Sequence, residues 1–421
     1  MIRILISAAA VIAAAALFVT GNMLLGTTLA IALAQSSLSA GAIGLILVQY
    51  AVGFVLGTIY GTRLIGRIGH IRAFAAFAAV TCTATLLHAV FFDAWLWGLL
   101  RLLSGACAAV MLVVLESWIN HYATPATRGG LLGGYMVSYY LAGAFGQWLV
   151  SVGQADDFRP YSLAAALLVL ASVPLTLTRG ESPAAHEAKR LPLKRLFKYS
   201  PLGVAGSFAG GFSMSAFFSL APVHASRSGF DASFIASYMA AAVLACMIFQ
   251  RPFGYLGDRR DRSRVILAIG LAAAASALVI AAWGQHSPNT LIATTMLYTG
   301  LLASLYPSCL ALANDQMPER NLVGVNSELL LAYGIGQICG PLLVGQMMGL
   351  RGPTGLYLGV ATMLLLFSWY ASCRLTAGRP VPPAEQQAFV PTAASTPVIA
   401  ELDPRSELQG DLDLQRPDKE D

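Results

Sequence analysis

The chain has 421 residues, of which 57% are hydrophobic and only 11% are charged, and its formal net charge is +5. Soluble globular domains carry about 45–50% apolar and about 25% charged residues, so this composition excludes an ordinary soluble protein and indicates one embedded in a membrane. The basic residues lie in short segments between apolar runs, which is a signal of membrane topology and argues against a nucleic-acid partner.

Apolar runs recur along the chain as far as residue 375. A membrane-spanning helix needs roughly 20 mainly apolar residues, and twelve runs meet that need. The first is too long for the core of a signal peptide, so we expect it to be retained as a span. The predicted spans lie near residues 5–33, 42–64, 72–92, 96–119, 130–153, 160–178, 202–223, 233–253, 265–284, 289–313, 323–348 and 354–373.

Lysine and arginine are divided unequally between the loops on the two sides of these spans. One side carries Arg3 and most of the other basic residues, whereas the other side carries only Arg159, Arg227 and Arg351. Basic loops stay on the cytoplasmic side of a membrane. The pattern therefore predicts a multi-pass protein with both termini in the cytoplasm.

Two segments lack the composition of a span. Residues 179–200 contain proline, lysine and arginine, and predict a cytoplasmic linker with an amphipathic basic helix that contacts membrane lipid. Residues 376–421 are polar and rich in proline, and predict a disordered cytoplasmic tail because they have little apolar surface to bury; a tail that binds a partner is the alternative. The predicted domains are then a six-helix bundle over 1–178, the linker, a second six-helix bundle over 201–375, and the tail.

The two predicted bundles contain matching segments. "TRLIGRIGHIR" at 62–72 aligns without gaps with "GYLGDRRDRSR" at 254–264, a shift of 192 residues. A second match pairs the Gly-Gln steps at 146–147 and 336–337 at nearly the same shift. Such a repeat indicates a duplicated unit, as in many transporters.

These segments carry a family resemblance. "GYLGDRRDR" resembles the G-x-L-a-D-R-x-G-R/K loop of the major facilitator superfamily, and "RLLSGACAA", from Arg101, resembles its fourth-helix pattern. Longer stretches around both, with "NSELLLAYGIGQICGPLLVG", are similar to the bacterial YcaD-type branch. The resemblance covers residues 1–375 and implies an all-α integral membrane fold with twelve transmembrane helices in two pseudo-symmetric six-helix bundles.

The resemblance also implies a function. A member of this superfamily is expected to be a secondary active transporter in the bacterial inner membrane, monomeric, that moves a small organic solute by alternating access. Proton-coupled efflux is the expected mode, with the proton gradient as energy source and no cofactor. A metabolite importer or facilitator, and a non-transporting sensor or scaffold, are the alternatives. An enzyme is not expected, because the chain has no Walker loop and its histidines and cysteines lack catalytic or metal-ligand spacing.

Charged residues within spans are costly and mark candidate functional positions. Arg101 is predicted to hold an anionic group of the solute or to tune a proton-carrying carboxylate, with snorkelling or helix packing as the alternative. Glu328 is a candidate protonation switch, because a carboxyl group removed from water binds its proton more tightly; pairing with a loop arginine is the alternative. Uncharged polar residues, which can instead join helices, complete the predicted set for solute binding and proton coupling: Arg101, Glu328, Asn22, Gln49, Tyr139, Gln147 and Tyr306.

The charged loops are predicted to form a latch on the inner side, which breaks and re-forms as the two bundles rock. Glu116 is the expected partner of Arg67 or Arg72, and Asp315 that of Arg262 or Arg264. A role of the arginines in topology alone is the alternative, and Glu116 could instead carry protons. The predicted latch comprises Arg67, Arg72, Glu116, Asp258, Arg259, Arg262 and Asp315.

Overall fold

A computed structural model of the chain describes residues 2–124, 126–154, 157–178, 192–284, 287–317 and 322–377, together with residues 386, 389, 390, 396, 398 and 399. Residues 179–191 of the predicted linker and most of the predicted tail lie outside the described residues.

The described part of the chain folds into α-helices, with a 3-10 turn at Leu149–Val152 and no β-strand. The helices are α1 Ile2–Gln35, α2 Ala40–Ile68, α3 His70–Val90, α4 Ala94–Tyr122, α5 Arg128–Trp148, α6 Phe158–Leu170, α7 Ser172–Thr176, α8 Leu193–Tyr199, α9 Pro201–Arg227, α10 Ala232–Arg259, α11 Arg262–Trp283, α12 Pro288–Gln316, α13 Leu322–Arg351 and α14 Gly355–Ala377.

Eleven helices of the described residues are long and apolar enough to cross a membrane, with α6 and α7 together forming one of them. The remaining predicted span, α5, has the length of a span, but its glycine, tyrosine and serine residues make it less apolar than the others. α5 packs between α1 and α10, so one side of it is buried against other helices, and a less apolar composition is tolerated on that side.

Short polar residues fix where several helices begin. The side chains of Ser39, Asp93 and Asp231 accept hydrogen bonds from backbone amides in the first turns of α2, α4 and α10. Such caps satisfy amide groups that have no partner within the helix. Between α2 and α3, Gly69 takes a positive φ of 86°, which glycine adopts without steric cost. The tight turns make successive helices antiparallel.

The helix contacts of the first half, α1–α7, are repeated in the second half, α9–α14. In the first half the packed pairs are α1 with α5 and α6, α2 with α4, and α3 with α4 and α6; the equivalent pairs of the second half are α9 with α13 and α14, α10 with α12, and α11 with α12 and α14. The halves meet through α1 with α9, and through the equivalent pairs α2 with α13 and α10 with α5. The predicted pseudo-symmetric pair of six-helix bundles is confirmed.

The two ends of the bundle differ. We call the end where α1 begins and where α2 joins α3 the basic end, and the opposite end the distal end. Toward the distal end one apolar cluster includes Leu29 and Leu47 of the first half with Phe217 of the second. Toward the basic end the first half has a cluster around Trp118, and the second half has another around Leu310. The halves therefore share a core near the distal end and have separate cores near the basic end.

Part of the predicted linker is helical. α8 presents the exposed basic residues Lys194, Arg195 and Lys198, whereas Leu196 is buried in the basic-end cluster of the second half. The described end of the segment predicted as the linker thus contains a short basic helix.

The predicted tail differs from expectation in its described residues. Thr396 and Ile399 are buried, and Val390 and Val398 pack against the basic-end cluster of the first half. The prediction of a wholly disordered tail is wrong for these residues. The tail as a whole is polar, but this segment contains a few apolar side chains. Burial of those side chains stabilises the segment.

Candidate functional site

A cavity of about 280 Å³ lies between the two halves. Four helices of the first half line it (α1, α2, α4 and α5), and so do their four equivalents in the second half (α9, α10, α12 and α13). The cavity therefore lies on the pseudo-twofold axis that relates the halves, which is where transporters built from repeats bind their solutes.

Arg101 brings a positive charge to the cavity wall. Its side chain is buried, and its guanidinium carbon lies 4.4 Å from the centre of the Tyr50 ring, a cation–π contact. The Tyr50 hydroxyl donates a hydrogen bond of 3.2 Å to the side-chain oxygen of Asn22. Among the described residues no carboxylate forms an ion pair with Arg101, and its Nε atom has no hydrogen-bond partner. The charge is thus held in place but not neutralised.

Each half contributes a glutamine at equivalent positions. The Gln147 side-chain oxygen accepts a hydrogen bond of 2.6 Å from the Thr27 hydroxyl. Gln337 also lines the cavity, and its backbone carbonyl accepts a hydrogen bond of 2.9 Å from the Ser215 hydroxyl. This carbonyl has no amide partner within α13, because Pro341, four residues later, has no amide hydrogen to donate to it. The side chain of Ser215 thus satisfies a polar group that the proline leaves unpaired at the cavity.

A second proline frees another carbonyl beside the cavity. Pro307 cannot donate to the carbonyl of Ala303, and the Gln250 side chain approaches this carbonyl at 3.5 Å while it bonds the Tyr140 hydroxyl at 2.7 Å. α12 continues through Pro307 without interruption. The proline-containing helices of the second half thus add polar groups to the cavity wall.

Five of the seven residues predicted for solute binding and proton coupling line the cavity: Arg101, Asn22, Tyr139, Gln147 and Tyr306. Gln49 does not; its side-chain amide donates to the Leu45 carbonyl of the same helix at 3.3 Å, and it faces Gly98 of α4. Glu328 lies half-buried in the second turn of α13, outside the cavity wall. Gln49 lies about 100° around the helix from its neighbour Tyr50, which is why one faces the cavity and the other does not.

The predicted pairing of Asp315 with Arg262 is present. The buried Arg262 guanidinium pairs with Asp315 of α12 and, at 2.6 Å, with Asp258 of α10. All three residues belong to the second half, so these ion pairs join α10, α11 and α12 rather than the two halves. Arg259 is exposed and stacks on the Tyr255 ring at 4.1 Å.

The predicted pairing of Glu116 with Arg67 or Arg72 is absent from the structure. Both arginines are exposed, and neither forms an ion pair with a described residue. Glu116 instead lies fully buried within α4 and accepts a hydrogen bond from the Thr396 hydroxyl. A surface arginine cannot reach a carboxylate that faces the interior.

Two glutamines that line the cavity were not predicted from the sequence, Gln250 and Gln337. Gln337 carries a usable signal, because it belongs to the Gly-Gln step that repeats the step ending at Gln147. Gln250 carries the same signal as the predicted residues, a polar side chain in an apolar helix, but was not included in the predicted set.

Comparisons with known proteins agree with this architecture. The family model described as Major Facilitator Superfamily matches residues 11–250 and again 228–409. This chain belongs to the major facilitator superfamily. The first match covers the first half together with α9 and most of α10, and the second runs from α10 past α14.

Relatives in this superfamily extend over most of the chain. An uncharacterized MFS-type transporter of Enterobacter sp. (strain 638) is 27% identical over 82% of this chain and 89% of its own length. The uncharacterized MFS-type transporter YcaD of Salmonella enteritidis is 26% identical over the same shares. The resemblance to the YcaD-type branch is confirmed.

Solved structures of superfamily members share the fold. A mutant of the nucleoside transporter NupG superposes with a TM-score of 0.73 at 11% identity, covering 87% of this chain and 99% of that one. The xylose transporter XylE from E. coli gives 0.64 at 11% identity, over 90% and 100%. The superfamily and its fold make the protein a multi-pass membrane protein and a secondary transporter.

Proposed function

We propose that the protein moves a small organic solute through the central cavity by alternating access across the bacterial inner membrane, and that the proton gradient drives efflux. In the predicted topology both termini and the basic end face the cytoplasm. The arrangement described above, with the halves packed together near the distal end, is then the state closed to the outside.

The observation that carries the proposal is the place of the cavity. Equivalent helices of both halves line it, so rocking the halves about it can expose the same wall to either side in turn. Its volume of about 280 Å³ lies just below the range of roughly 300–1,000 Å³ that is typical of pockets for drug-sized ligands. The proposed solute is therefore a small molecule.

The proton-coupled step needs a group that gains and loses a proton during the cycle. The described residues that line the cavity include no carboxylate, so the proposed proton carrier lies outside its wall. Glu328 is the candidate, because it lies on α13 about one and a half turns from Tyr333, which does line the cavity. Replacing Glu328 with Gln should leave solute binding intact but remove the response of transport to a pH gradient; an unchanged response would dismiss this residue.

Filling the cavity tests the proposal. An added Cβ at Gly26 meets no atom within 4 Å, and Gly26 lines the cavity, so Gly26→Trp should block it without disturbing α1. Gly349, exposed at the end of α13, has equally open surroundings outside the cavity, which makes Gly349→Trp the matched control.

The assay uses purified protein in liposomes with an imposed pH gradient. The probes are benzenesulfonate, uridine and benzyltrimethylammonium, which are an anionic, a neutral and a cationic ring compound. We expect the native protein and Gly349→Trp to move at least one probe, and Gly26→Trp to move none. Movement of no probe by the native protein, or equal movement by Gly26→Trp, would contradict the proposal.

A further inference from the structure

We propose that the solute is an organic anion with a flat apolar ring, and that its anionic group binds the Arg101 guanidinium. This inference rests on the proposed transport function and names the class of solute. It starts from the charge of the cavity, because Arg101 is the single charged residue among the described residues that line it.

The charge on Arg101 lacks a counterion within the described protein. Its side chain is 7% exposed, no described carboxylate pairs with it, and its Nε–H has no acceptor. A buried cation is stable when an anion and hydrogen-bond acceptors compensate for its lost hydration. A solute that carries a carboxylate or sulfonate would supply both.

The orientation of the guanidinium suits such a group. The Tyr50 ring covers one face of the plane at 4.4 Å, and Asn22 holds the Tyr50 hydroxyl. The N–H donors lie on the edge of the guanidinium, which the Tyr50 ring does not cover. Two parallel N–H donors on this edge match two oxygens of one carboxylate or sulfonate.

The rest of the wall favours a flat apolar body. Aromatic side chains from both halves line the cavity, among them Phe18 and Tyr139 of the first half and Phe218 and Tyr333 of the second. Aromatic rings pack best against other flat rings, in offset or edge-to-face arrangements. The side chains of Gln147 and Gln337 add neutral polar groups that can orient a substituent.

Ligand-dependent thermal stabilisation tests the class of solute, because a ligand that binds the folded state raises the unfolding midpoint. Benzoate and benzamide are nearly the same shape and differ in charge. We expect benzoate to stabilise the purified protein with an apparent affinity about 10- to 100-fold higher than that of benzamide, the usual worth of hydrogen bonds to a charged group.

Substitutions of Arg101 test whether its guanidinium binds the anionic group of the solute. Arg101→Met should lose the preference for benzoate, whereas Arg101→Lys, which keeps the charge but not the paired donors, should retain part of it. Arg159→Met removes the same charge from an exposed side chain at the distal end and should keep the full preference.

Three outcomes would overturn the anion site: no stabilisation by benzoate, equal stabilisation by benzamide, or a preference that persists in Arg101→Met. If Arg101→Met does not fold, the benzoate-to-benzamide ratio of the native protein and of Arg101→Lys decides.

Binding is measured without transport, so a protein that binds benzoate but moves no probe in liposomes contradicts the proposed function alone. Transport of uridine or benzyltrimethylammonium in preference to benzenesulfonate contradicts the anion site alone.

A second inference rests on different residues. We infer that the described tail residues 386, 389, 390, 396, 398 and 399, which we call the strap, hold the basic end open and so inhibit transport. On the second half, the Phe389 backbone amide donates to both carboxylate oxygens of Asp258 at 3.0 Å, and the Gln386 side chain donates to the Arg260 carbonyl at 3.4 Å. The Phe389 ring lies against Gly254 of α10.

On the first half, the strap enters the core. The Thr396 hydroxyl bonds the Glu116 carboxylate, and both side chains are fully buried. Ile399 is 1% exposed and belongs to the same cluster as Trp118. These contacts place the strap beside the buried Glu116 carboxylate and give that carboxylate a hydrogen-bond donor.

The strap therefore links α10 of one half to α4 of the other at the end where the halves have separate cores. Closing that end brings the halves together, so the strap must first leave its place between them. Its release is then a step that slows the transport cycle.

One substitution displaces the strap without touching the cavity. An added Cβ at Gly254 would lie 2.1 Å from the Phe389 ring, whereas at Gly257, on the same helix, it would meet only the Arg262 side chain at 3.7 Å or more. Gly254→Ala and a chain that ends at Ala377 should both move the transported probe about tenfold faster than the native protein, a factor typical of one lost hydrogen bond to a charged group. Gly257→Ala is the matched control and should keep the native rate.

A second readout does not depend on the solute. Spin labels at residues 72 and 264, exposed on opposite halves at the basic end, report whether that end closes. We expect a larger short-distance population in Gly254→Ala and in the shortened chain than in Gly257→Ala. Native distances and native rates in the shortened chain would overturn the inference.

Discussion

Arg262 is a buried side chain at the basic end whose ion pairs join α10, α11 and α12. It is 1% exposed and pairs with Asp258 and Asp315, the second of which is also buried. Its neighbour Arg264 pairs with Asp261 at 3.4 Å, but the Arg264 side chain is 79% exposed. The two arginines lie two residues apart and differ mainly in burial, so they separate the effect of a buried ion pair from that of a surface one.

We predict that Arg262→Met lowers the free energy of unfolding by roughly 3–5 kcal/mol, because it removes the arginine partner of the buried Asp315 carboxylate. Arg264→Met should change it by less than about 1 kcal/mol, since exposed pairs are screened by water. The measurement is the thermal unfolding midpoint of each purified variant in detergent. Equal midpoints for the two variants would show that the Arg262 ion pairs do not stabilise the fold.

At the scale of elements, glycines set how closely helices of the two halves approach near the distal end. An added Cβ at Gly44 of α2 would lie 2.4 Å from the Pro341 carbonyl oxygen of α13, and one at Gly41 would lie 2.7 Å from the Gln346 amide. Nearby, the Arg227 side chain of α9 donates to the Leu38 carbonyl at 2.6 Å. Backbone atoms cannot yield as a flexible side chain can, so the distal closure depends on Gly44 being glycine.

We predict that Gly44→Ala pushes α2 and α13 apart and raises the population of molecules with an open distal end. Gly98→Ala is the control, because a Cβ there meets only the Gln49 side chain at an ordinary 3.7 Å. Spin labels at Trp95 and Asn289, exposed in the first turns of α4 and α12, report the distance across the distal end. An unchanged distance distribution in Gly44→Ala would refute the role of this contact.

At the scale of the whole molecule, the repeat organises both the fold and the cavity. The sequence predicts the spans well, because each apolar run is a direct consequence of the bilayer thickness. It also predicts the duplication, through segments 62–72 and 254–264, and five polar residues of the cavity wall, through polar groups in apolar helices. These features depend on the local sequence, which is why they can be predicted.

Features that depend on rotation and tertiary contact could not be predicted. α2 is apolar on most faces, so no pattern shows that Tyr50 faces the cavity and Gln49 does not. Glu116 was assigned an arginine partner because both are charged, but its depth within α4 places it beside Thr396. The strap contacts join residues that lie 126 to 280 positions apart in the chain, and composition alone carries no such information.

Alternating access requires the two halves to rock about the cavity, so that one end closes as the other opens. The most direct measurement is the pair of spin-label distances, 72–264 across the basic end and 95–289 across the distal end, in the native protein and in Gly44→Ala. We expect opposite changes, with a longer distal distance accompanied by a shorter basic one. Two distances that stay fixed, that both lengthen or that both shorten would overturn the rocking motion.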